Sequence, residues 1–69
     1  MKYTVVLTKD EDGGFDAAVP ALPGCRSWGR TRKDALRHAQ EAIEAYIESL
    51  QKDGDPIPLE IESRTLKVG

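Results

Sequence analysis

The acidic residues at one turn come closest to a site for chemistry. Four carboxylates lie within seven positions, next to a pair of glycines: Asp10, Glu11, Asp12 and Asp16. A tight turn that carries several carboxylates can hold a hard cation. The spacing does not match an EF-hand loop, which needs a ligand at every second position and a closing glutamate. Acids and glycines are also typical of a solvated turn, and we therefore expect no metal site.

The single histidine, His38, and the single cysteine, Cys25, raise the question of a nucleophilic pair. Such a pair would need a third orienting group, an oxyanion site and a cleft. We interpret His38 as a partly exposed helix residue and Cys25 as a small buried hydrophobe. One cysteine excludes an intramolecular disulfide, and with one histidine it excludes the usual Cys/His zinc sites. We expect no catalytic residue and no cofactor.

The basic residues are concentrated in one segment. Five of them lie within twelve positions: Arg26, Arg30, Arg32, Lys33 and Arg37. Cations in the first turn of a helix oppose its dipole, so stability alone would favour acids there. Two interpretations stay open, namely a surface for an anionic partner and a solvated face that tolerates a small penalty. The net charge of -2 argues against a nucleic-acid binder driven by overall charge, but a local basic patch is compatible with it.

Trp28 is the other unusual residue, because arginines flank it on a short predicted strand. A lone tryptophan in so small a domain is more often a core residue, and we favour that interpretation. Aromatic and arginine side chains together are also typical of protein interfaces, and an acidic helix face suits a basic partner. The candidate partner interface combines these features and comprises Trp28, Arg30, Glu41, Glu44 and Glu48.

Alternating polar and apolar residues predict three short strands, at 2–9, 15–19 and 25–29. The residues expected to shape the connecting turns are Gly13, Gly14, Pro20, Pro23 and Gly24. Glycine supplies a positive φ without a Cβ clash, and proline cannot donate to a strand ladder. The order of strands separated by these turns indicates a small, mainly antiparallel sheet.

A helix is predicted at 32–52, with Thr31 as N-cap, Asp34 as partner in an approximate capping box and Gly54 as the stop. The predicted apolar stripe consists of Leu36, Ala39, Ile43, Tyr46, Ile47 and Leu50, with Ala35 and Ala42 beside it. The opposite face is polar, with i,i+4 pairs expected for Arg37–Glu41 and Glu48–Lys52. From Leu59 onward, alternation predicts a last strand. The fold class is therefore α+β, in the order β-β-β-α-β, with one helix packed on one face of the sheet and a single domain at 1–69.

Size favours self-association. A 7.6 kDa chain removes only about three-fifths of its surface from water on folding, so its core is marginal alone. We expect a homodimer or larger oligomer, with the last strand as the candidate edge and Trp28 or the 66–68 tail as alternative contacts. The sequence has no apolar run long enough for a signal peptide or a membrane span, which favours a cytoplasmic domain.

Several segments carry a family resemblance when they are taken together. These segments are D-E-D-G-G-F at 10–15, V-P-A-L-P-G-C at 19–25, the helix pieces at 34–36 and 41–46, and G-D-P-I-P at 54–58. With Ser27, Gly29 and Thr31, they resemble the HicB-like antitoxin family over residues 3–58. The proline-rich segment after the D-E-D-G-G turn is the specific part of this match.

The resemblance implies a partial RNase H-like fold that has lost the catalytic acids and serves binding rather than cleavage. It also implies a partner, since family members neutralise HicA-like toxins, small ribonucleases that cut mRNA, by covering the toxin's catalytic surface. Full-length members often add a C-terminal DNA-binding segment. This chain ends at Gly69, where such a segment would begin, and we therefore do not expect direct DNA binding.

Two alternative functions stay open at this stage. The first is an orphan homo-oligomeric binding domain whose partner is not a toxin, which the sequence does not separate from an antitoxin. The second is a metal-dependent nuclease. Two-metal chemistry needs three or four carboxylates that converge across the sheet and helix, whereas the acids here concentrate at a turn and on one helix face. The nuclease is the less favoured of the two.

Overall fold

The computed structural model describes residues 3–60, which form three antiparallel strands followed by one helix. The elements are β1 (Val6–Lys9), β2 (Phe15–Ala18), β3 (Arg26–Gly29) and α1 (Arg32–Asp53). This confirms the α+β class and the order of the first four predicted elements, although each strand is shorter than predicted. Leu59 and Glu60 lie in no strand, and the rest of the predicted last strand, from residue 61 onward, lies outside the described residues.

The strands form a meander in the order β1-β2-β3, and their register assigns each side chain to one of two faces. Leu7 pairs with Ala17, and Ala17 with Ser27, so these three residues share the face that the helix covers. Thr8, Asp16 and Trp28 form the next cross-strand row and share the opposite face. The sheet therefore has one face under α1 and one helix-free face.

The two glycines of the β1–β2 turn have different roles. The Gly13 N–H donates to the Asp10 carbonyl at 3.1 Å, and Gly13 has a φ of 97°. Gly14 has no positive φ; instead, a Cβ at this position would lie 2.2 Å from the ring of Trp28. Gly13 thus provides the backbone conformation of the turn, whereas Gly14 provides room for an aromatic ring.

Two successive turns connect β2 to β3, and each has a proline at its second position. The Leu22 N–H donates to the Val19 carbonyl at 3.0 Å, and the Cys25 N–H donates to the Leu22 carbonyl at 2.9 Å. Gly24 has a φ of 81° at the third position of the second turn, as a type II turn requires. These turns direct Leu22, which is fully buried, into the core.

The predicted N-cap Thr31 and stop Gly54 of α1 are confirmed, but the described residues contain no reciprocal capping-box bond from the Thr31 N–H to the Asp34 carboxylate. The Thr31 hydroxyl accepts a hydrogen bond from the Asp34 N–H at 3.1 Å. Gly54 ends the helix in the left-handed region, and the Asp55 N–H donates to the Leu50 carbonyl at 2.9 Å, as in a Schellman motif. The Asp34 carboxylate accepts from Arg37 at 3.4 Å. Arg37 therefore pairs one turn back, rather than forming the predicted ion pair with Glu41.

The helix packs against β3 and β2 through small residues at its N-terminal half. Ala17, Ala35 and Ala39 form one buried cluster, and the backbones approach closely because a Cβ at Gly29 would lie 2.2 Å from the Ala35 nitrogen. The predicted core position of Leu36 is wrong, since this residue is 45% exposed. With the alanines turned toward the sheet, Leu36 is rotated out of the interface.

Larger residues form a second cluster toward the C-terminal half of α1. Its buried members are Val19, Leu22, Cys25 and Ile47. Ile43 is partly buried and packs against this cluster, so the predicted core role is confirmed for Ile47 and in part for Ile43. The Tyr46 hydroxyl donates to the Pro23 carbonyl at 2.8 Å and ties the helix to the β2–β3 connection.

After α1, the chain returns to the start of β1. The Tyr3 hydroxyl donates to the Pro58 carbonyl at 2.6 Å, and the Thr4 N–H donates to Glu60 Oε1 at 3.0 Å. The Thr4 hydroxyl also contacts the Glu60 carboxylate. Within residues 3–60, no helix is both long and apolar enough to cross a membrane.

Candidate functional site

A groove of about 1050 Å³ lies between the helix and the segment that leads into β1. It arises because α1 packs against β3 and β2, which leaves the β1 side of the helix uncovered. The apolar residues that line it are Tyr3, Val5, Leu36, Ile43, Ala45 and Ile47. The exposed Leu36 side chain is therefore part of a continuous apolar surface rather than an isolated surface residue.

Three glutamates give this groove an acidic lining. Glu41, Glu44 and Glu48 line it and are exposed, and the lining includes no Lys, Arg or His among the described residues. In residues 3–60 the only ion pair joins Arg37 to Asp34, so no cation neutralises these glutamates. The predicted Glu48–Lys52 pair is therefore absent from this part of the chain. We call this surface the acidic groove.

Trp28 lies on the helix-free face of the sheet and is 44% exposed, so the predicted core role is wrong. Position 28 faces away from the helix because its strand partner is Asp16, not Ala17. The indole ring instead covers the backbone of Gly14. His38 Nδ1 lies 2.6 Å from the Trp28 carbonyl oxygen, which links the helix to the edge of β3.

The predicted interface residues therefore fall on two separate surfaces. Glu41, Glu44 and Glu48 line the acidic groove, whereas Trp28 lies on the opposite face of the sheet. Arg30 is exposed in the short connection between β3 and α1. The structure does not bring these five residues into one patch.

Sequence reasoning missed the apolar floor of the acidic groove, which includes Tyr3, Val5 and Leu36. A signal for it was present in the alanines at 35, 39 and 42, which follow helical spacing. Small residues at such spacing indicate where two elements approach most closely, and large residues beside them are then displaced from the interface. The predicted stripe was instead centred on the largest apolar side chains.

Cys25 and His38 have separate environments. Cys25 is buried among Val19, Leu22 and Ile47, and burial raises the pKa of its thiol because the charged thiolate is poorly solvated there. His38 is half-buried and contacts the Trp28 carbonyl. The interpretation of Cys25 as a small buried hydrophobe is confirmed, and its raised pKa is the opposite of what an activated nucleophile requires.

The acidic turn does not form a convergent set of ligands in the described part of the chain. Glu11 and Asp12 are exposed at the tip, while Asp16 lies on the helix-free face of β2. No group of three or more His, Cys, Asp or Glu side chains in residues 3–60 is placed to hold a metal ion.

Comparison with known proteins agrees with this architecture. The family model described as "HicB_like antitoxin of bacterial toxin-antitoxin system" matches residues 3–67. The chain belongs to the HicB-like antitoxin family. A relative from Thermoplasma acidophilum, UPF0150 protein Ta0767, is 60% identical over 58 residues, which cover 84% of each chain.

Two further proteins extend this assignment to named antitoxins. Antitoxin HicB 1 of Photorhabdus laumondii is 36% identical over 59 residues, or 86% of this chain and 38% of that antitoxin's length. The crystal structure of the N-terminal domain of Burkholderia pseudomallei antitoxin HicB has a TM-score of 0.84 and 29% identity, covering 99% of this chain and 81% of that one. The resemblance and the fold class expected from the sequence are thereby confirmed.

Proposed function

We propose that this HicB-like chain is an antitoxin that binds a small HicA-like, mRNA-cleaving toxin and covers its catalytic surface. Membership in the antitoxin family supports a toxin as the partner. The acidic groove is the observation that supports binding to the catalytic surface of the toxin. Its apolar floor lies beside three glutamates that have no basic partners in the described residues. The protein then acts by binding and performs no catalysis.

The negative charge of the groove is complementary to the positive surface with which a ribonuclease binds RNA. A protein that binds a phosphate backbone does so with Lys and Arg side chains, so the toxin's catalytic surface is expected to be basic. Carboxylates at the rim of an interface attract such a surface and speed association, while buried apolar residues slow dissociation. Glu41, Glu44 and Glu48 would supply the first effect, and Leu36 on the groove floor the second.

The proposal is tested with a small HicA-like ribonuclease, sought first among the genes beside the one that encodes this chain. The triple variant Glu41→Gln, Glu44→Gln, Glu48→Gln keeps side-chain volume and removes three charges. We expect its association rate with the toxin to fall about ten-fold or more at low salt, and the difference to shrink as salt screens the charges. Restoration of growth on co-expression with the toxin should weaken in parallel.

A matched control removes the same charge from other sites. Glu11→Gln, Asp12→Asn and Asp55→Asn change three acids that are exposed outside the acidic groove. These changes should leave both association rate and growth nearly unaltered. Equal losses in the two triple variants would show that overall charge, and not this groove, governs binding. If the unaltered chain does not bind the toxin at all, the proposal is contradicted.

Two related expectations stay predictions. A toxin that cuts mRNA works where mRNA is translated, so we place the proposed complex in the cytoplasm. The homodimer expected from the small size of the domain also stays a prediction. Its favoured contact, the last strand, begins at residues that are not in a strand and continues outside the described ones.

A further inference from the structure

The helix-free face carries an exposed aromatic ring beside one arginine, and a second arginine follows directly after the strand. Arg26 and Trp28 are alternate residues of β3, so both lie on this face about 6.8 Å apart along the strand. Arg30 follows two residues later, immediately after the strand ends. All three residues are exposed. We call them the arginine–tryptophan row.

The ring of Trp28 is held against the sheet. A Cβ added to Gly14 would lie 2.2 Å from Cζ2 and 2.5 Å from Cε2 of Trp28, so the ring covers the glycine backbone. The residue is nevertheless 44% exposed. Because residue 14 has no side chain, the indole can rest on the backbone and keep an open aromatic surface toward solvent.

The arginines of this row form no ion pair in the described residues. In residues 3–60 the single ion pair uses Arg37, so Arg26, Arg30, Arg32 and Lys33 have no carboxylate partner there. The glutamates of the acidic groove lie on the helix side of the molecule.

We propose that the arginine–tryptophan row binds single-stranded nucleic acid, with one base stacked on Trp28 and adjacent phosphates against Arg26 and Arg30. Exposed aromatic rings beside a basic track are the usual means of binding single strands without sequence preference. Arginine serves both purposes, since it pairs with phosphate and stacks on planar groups. This site is separate from the acidic groove, and the proposal does not depend on a toxin partner.

Carboxylates near the row oppose this binding and constrain its path. Glu11 and Asp12 are exposed in the turn that precedes Gly14, at the end of the sheet where Arg30 follows β3. Asp16 is the cross-strand partner of Trp28 and is half-buried on the same face. The Asp16 carboxylate repels phosphate, so the bound nucleic acid must run along β3 on the side away from β2. Asp16 and Arg26 are also opposite charges on one face, which would suit a second copy of this chain as occupant. Arg26 and Arg30 have no ion-pair partner in the described residues and flank an open aromatic surface, which favours nucleic acid over a second copy.

Trp28 is the only tryptophan in the chain, so its fluorescence reports directly on this site. The probes are oligouridine RNA and oligothymidine DNA of about 12 nucleotides, a length within the range of known single-strand sites. We expect quenching of Trp28 by RNA, by DNA or by both, strongest at low salt. The logarithm of the affinity should fall linearly with the logarithm of salt concentration, with a slope of about -0.7 for each phosphate contact.

Variants separate stacking from charge, with binding measured by anisotropy of a labelled oligonucleotide. Trp28→Ala should weaken binding by about five- to 150-fold, and Trp28→Phe much less. Arg26→Gln and Arg30→Gln should each reduce the salt slope by about 0.7, whereas the control Lys52→Gln at the far end of α1 should not. Asp16→Asn should strengthen binding. Circular dichroism confirms that each variant is folded.

Three results would overturn the inference. The first is no quenching by either probe at low salt. The second is a loss in Lys52→Gln equal to that in the arginine variants, which would indicate non-specific attraction. The third combines two observations: the protein sediments as a dimer that Asp16→Asn dissociates, and neither oligonucleotide binds. That result would show that a second copy of this chain occupies the helix-free face.

Discussion

The two halves of the helix–sheet interface are built from side chains of different size. Near the start of α1, Ala35 and Ala39 pack against Ala17, and Gly29 allows the backbones to approach closely. Toward the end of α1, the contact is made by Ile47 with Leu22. The first half fixes the position of the helix by close approach, and the second half fills the space that remains.

This difference explains where the molecule exposes apolar surface. Because alanines occupy the helix face nearest the sheet, Leu36 lies outside the interface and becomes part of the acidic groove. The groove is therefore a consequence of the glycine–alanine contact rather than a gap in an imperfect core. Substitutions in the two halves should differ accordingly in their cost.

The largest effect is expected where the backbones approach most closely. Gly29→Val would place a branched Cβ within 2.2 Å of the Ala35 nitrogen, and backbone atoms cannot move aside without shifting the helix. We expect a loss of about 3 kcal/mol or more, enough to unfold most molecules of so small a domain. Urea unfolding followed by circular dichroism measures this loss.

Thr8→Val is the matched control for this change. It introduces the same side chain on the exposed, helix-free face of β1, where valine is well tolerated. We expect its stability to lie within about 0.5 kcal/mol of the unaltered protein. A Gly29→Val protein that melts like Thr8→Val would show that the helix does not approach β3 as closely as described.

An intermediate effect is expected from truncating leucines in different environments. Leu22 is fully buried, whereas Leu36 is 45% exposed. Leu22→Ala should therefore cost about 2–5 kcal/mol, and Leu36→Ala less than about 1 kcal/mol. For toxin affinity we expect the opposite order, with a larger loss for Leu36→Ala than for Leu22→Ala, because only Leu36 lines the acidic groove. Equal stability losses would contradict the division of the helix into a packed face and an exposed one.

The order of elements was predictable because local signals agreed with one another. Thr31 and Gly54 marked the ends of α1, and Pro20, Pro23 and Gly24 marked the connection between β2 and β3. Each of these signals acts within a few residues, through a side-chain cap, a fixed φ or a positive φ. The departures at Leu36 and Trp28 have a different cause, namely contacts between residues that are distant in the sequence.

The candidate site was predictable only in part for the same reason. The exposure of the three glutamates followed from helix periodicity, since the polar face of an amphipathic helix points to solvent. The faces of Leu36 and Trp28 depended on long-range pairing, namely Gly29 against Ala35 and Trp28 beside Asp16. Side-chain size alone predicted burial for both residues and was wrong for both.

The smallest effect is expected from the thiol in the large-residue half of the core. Burial raises the pKa of Cys25, so the thiol stays neutral in the folded protein at pH values where it ionises in the unfolded chain. The stabilisation by the neutral thiol is complete below the unfolded pKa of about 8.5 and is lost as pH rises toward the folded value. The difference in unfolding free energy between the unaltered protein and Cys25→Ala should therefore shrink above about pH 8.5, by at most about 1.4 kcal/mol per pH unit. Urea unfolding of both proteins from neutral to alkaline pH isolates this effect, because every other titrating group cancels in the difference. A difference that stays constant with pH would show that Cys25 is solvated well enough to ionise in the folded protein.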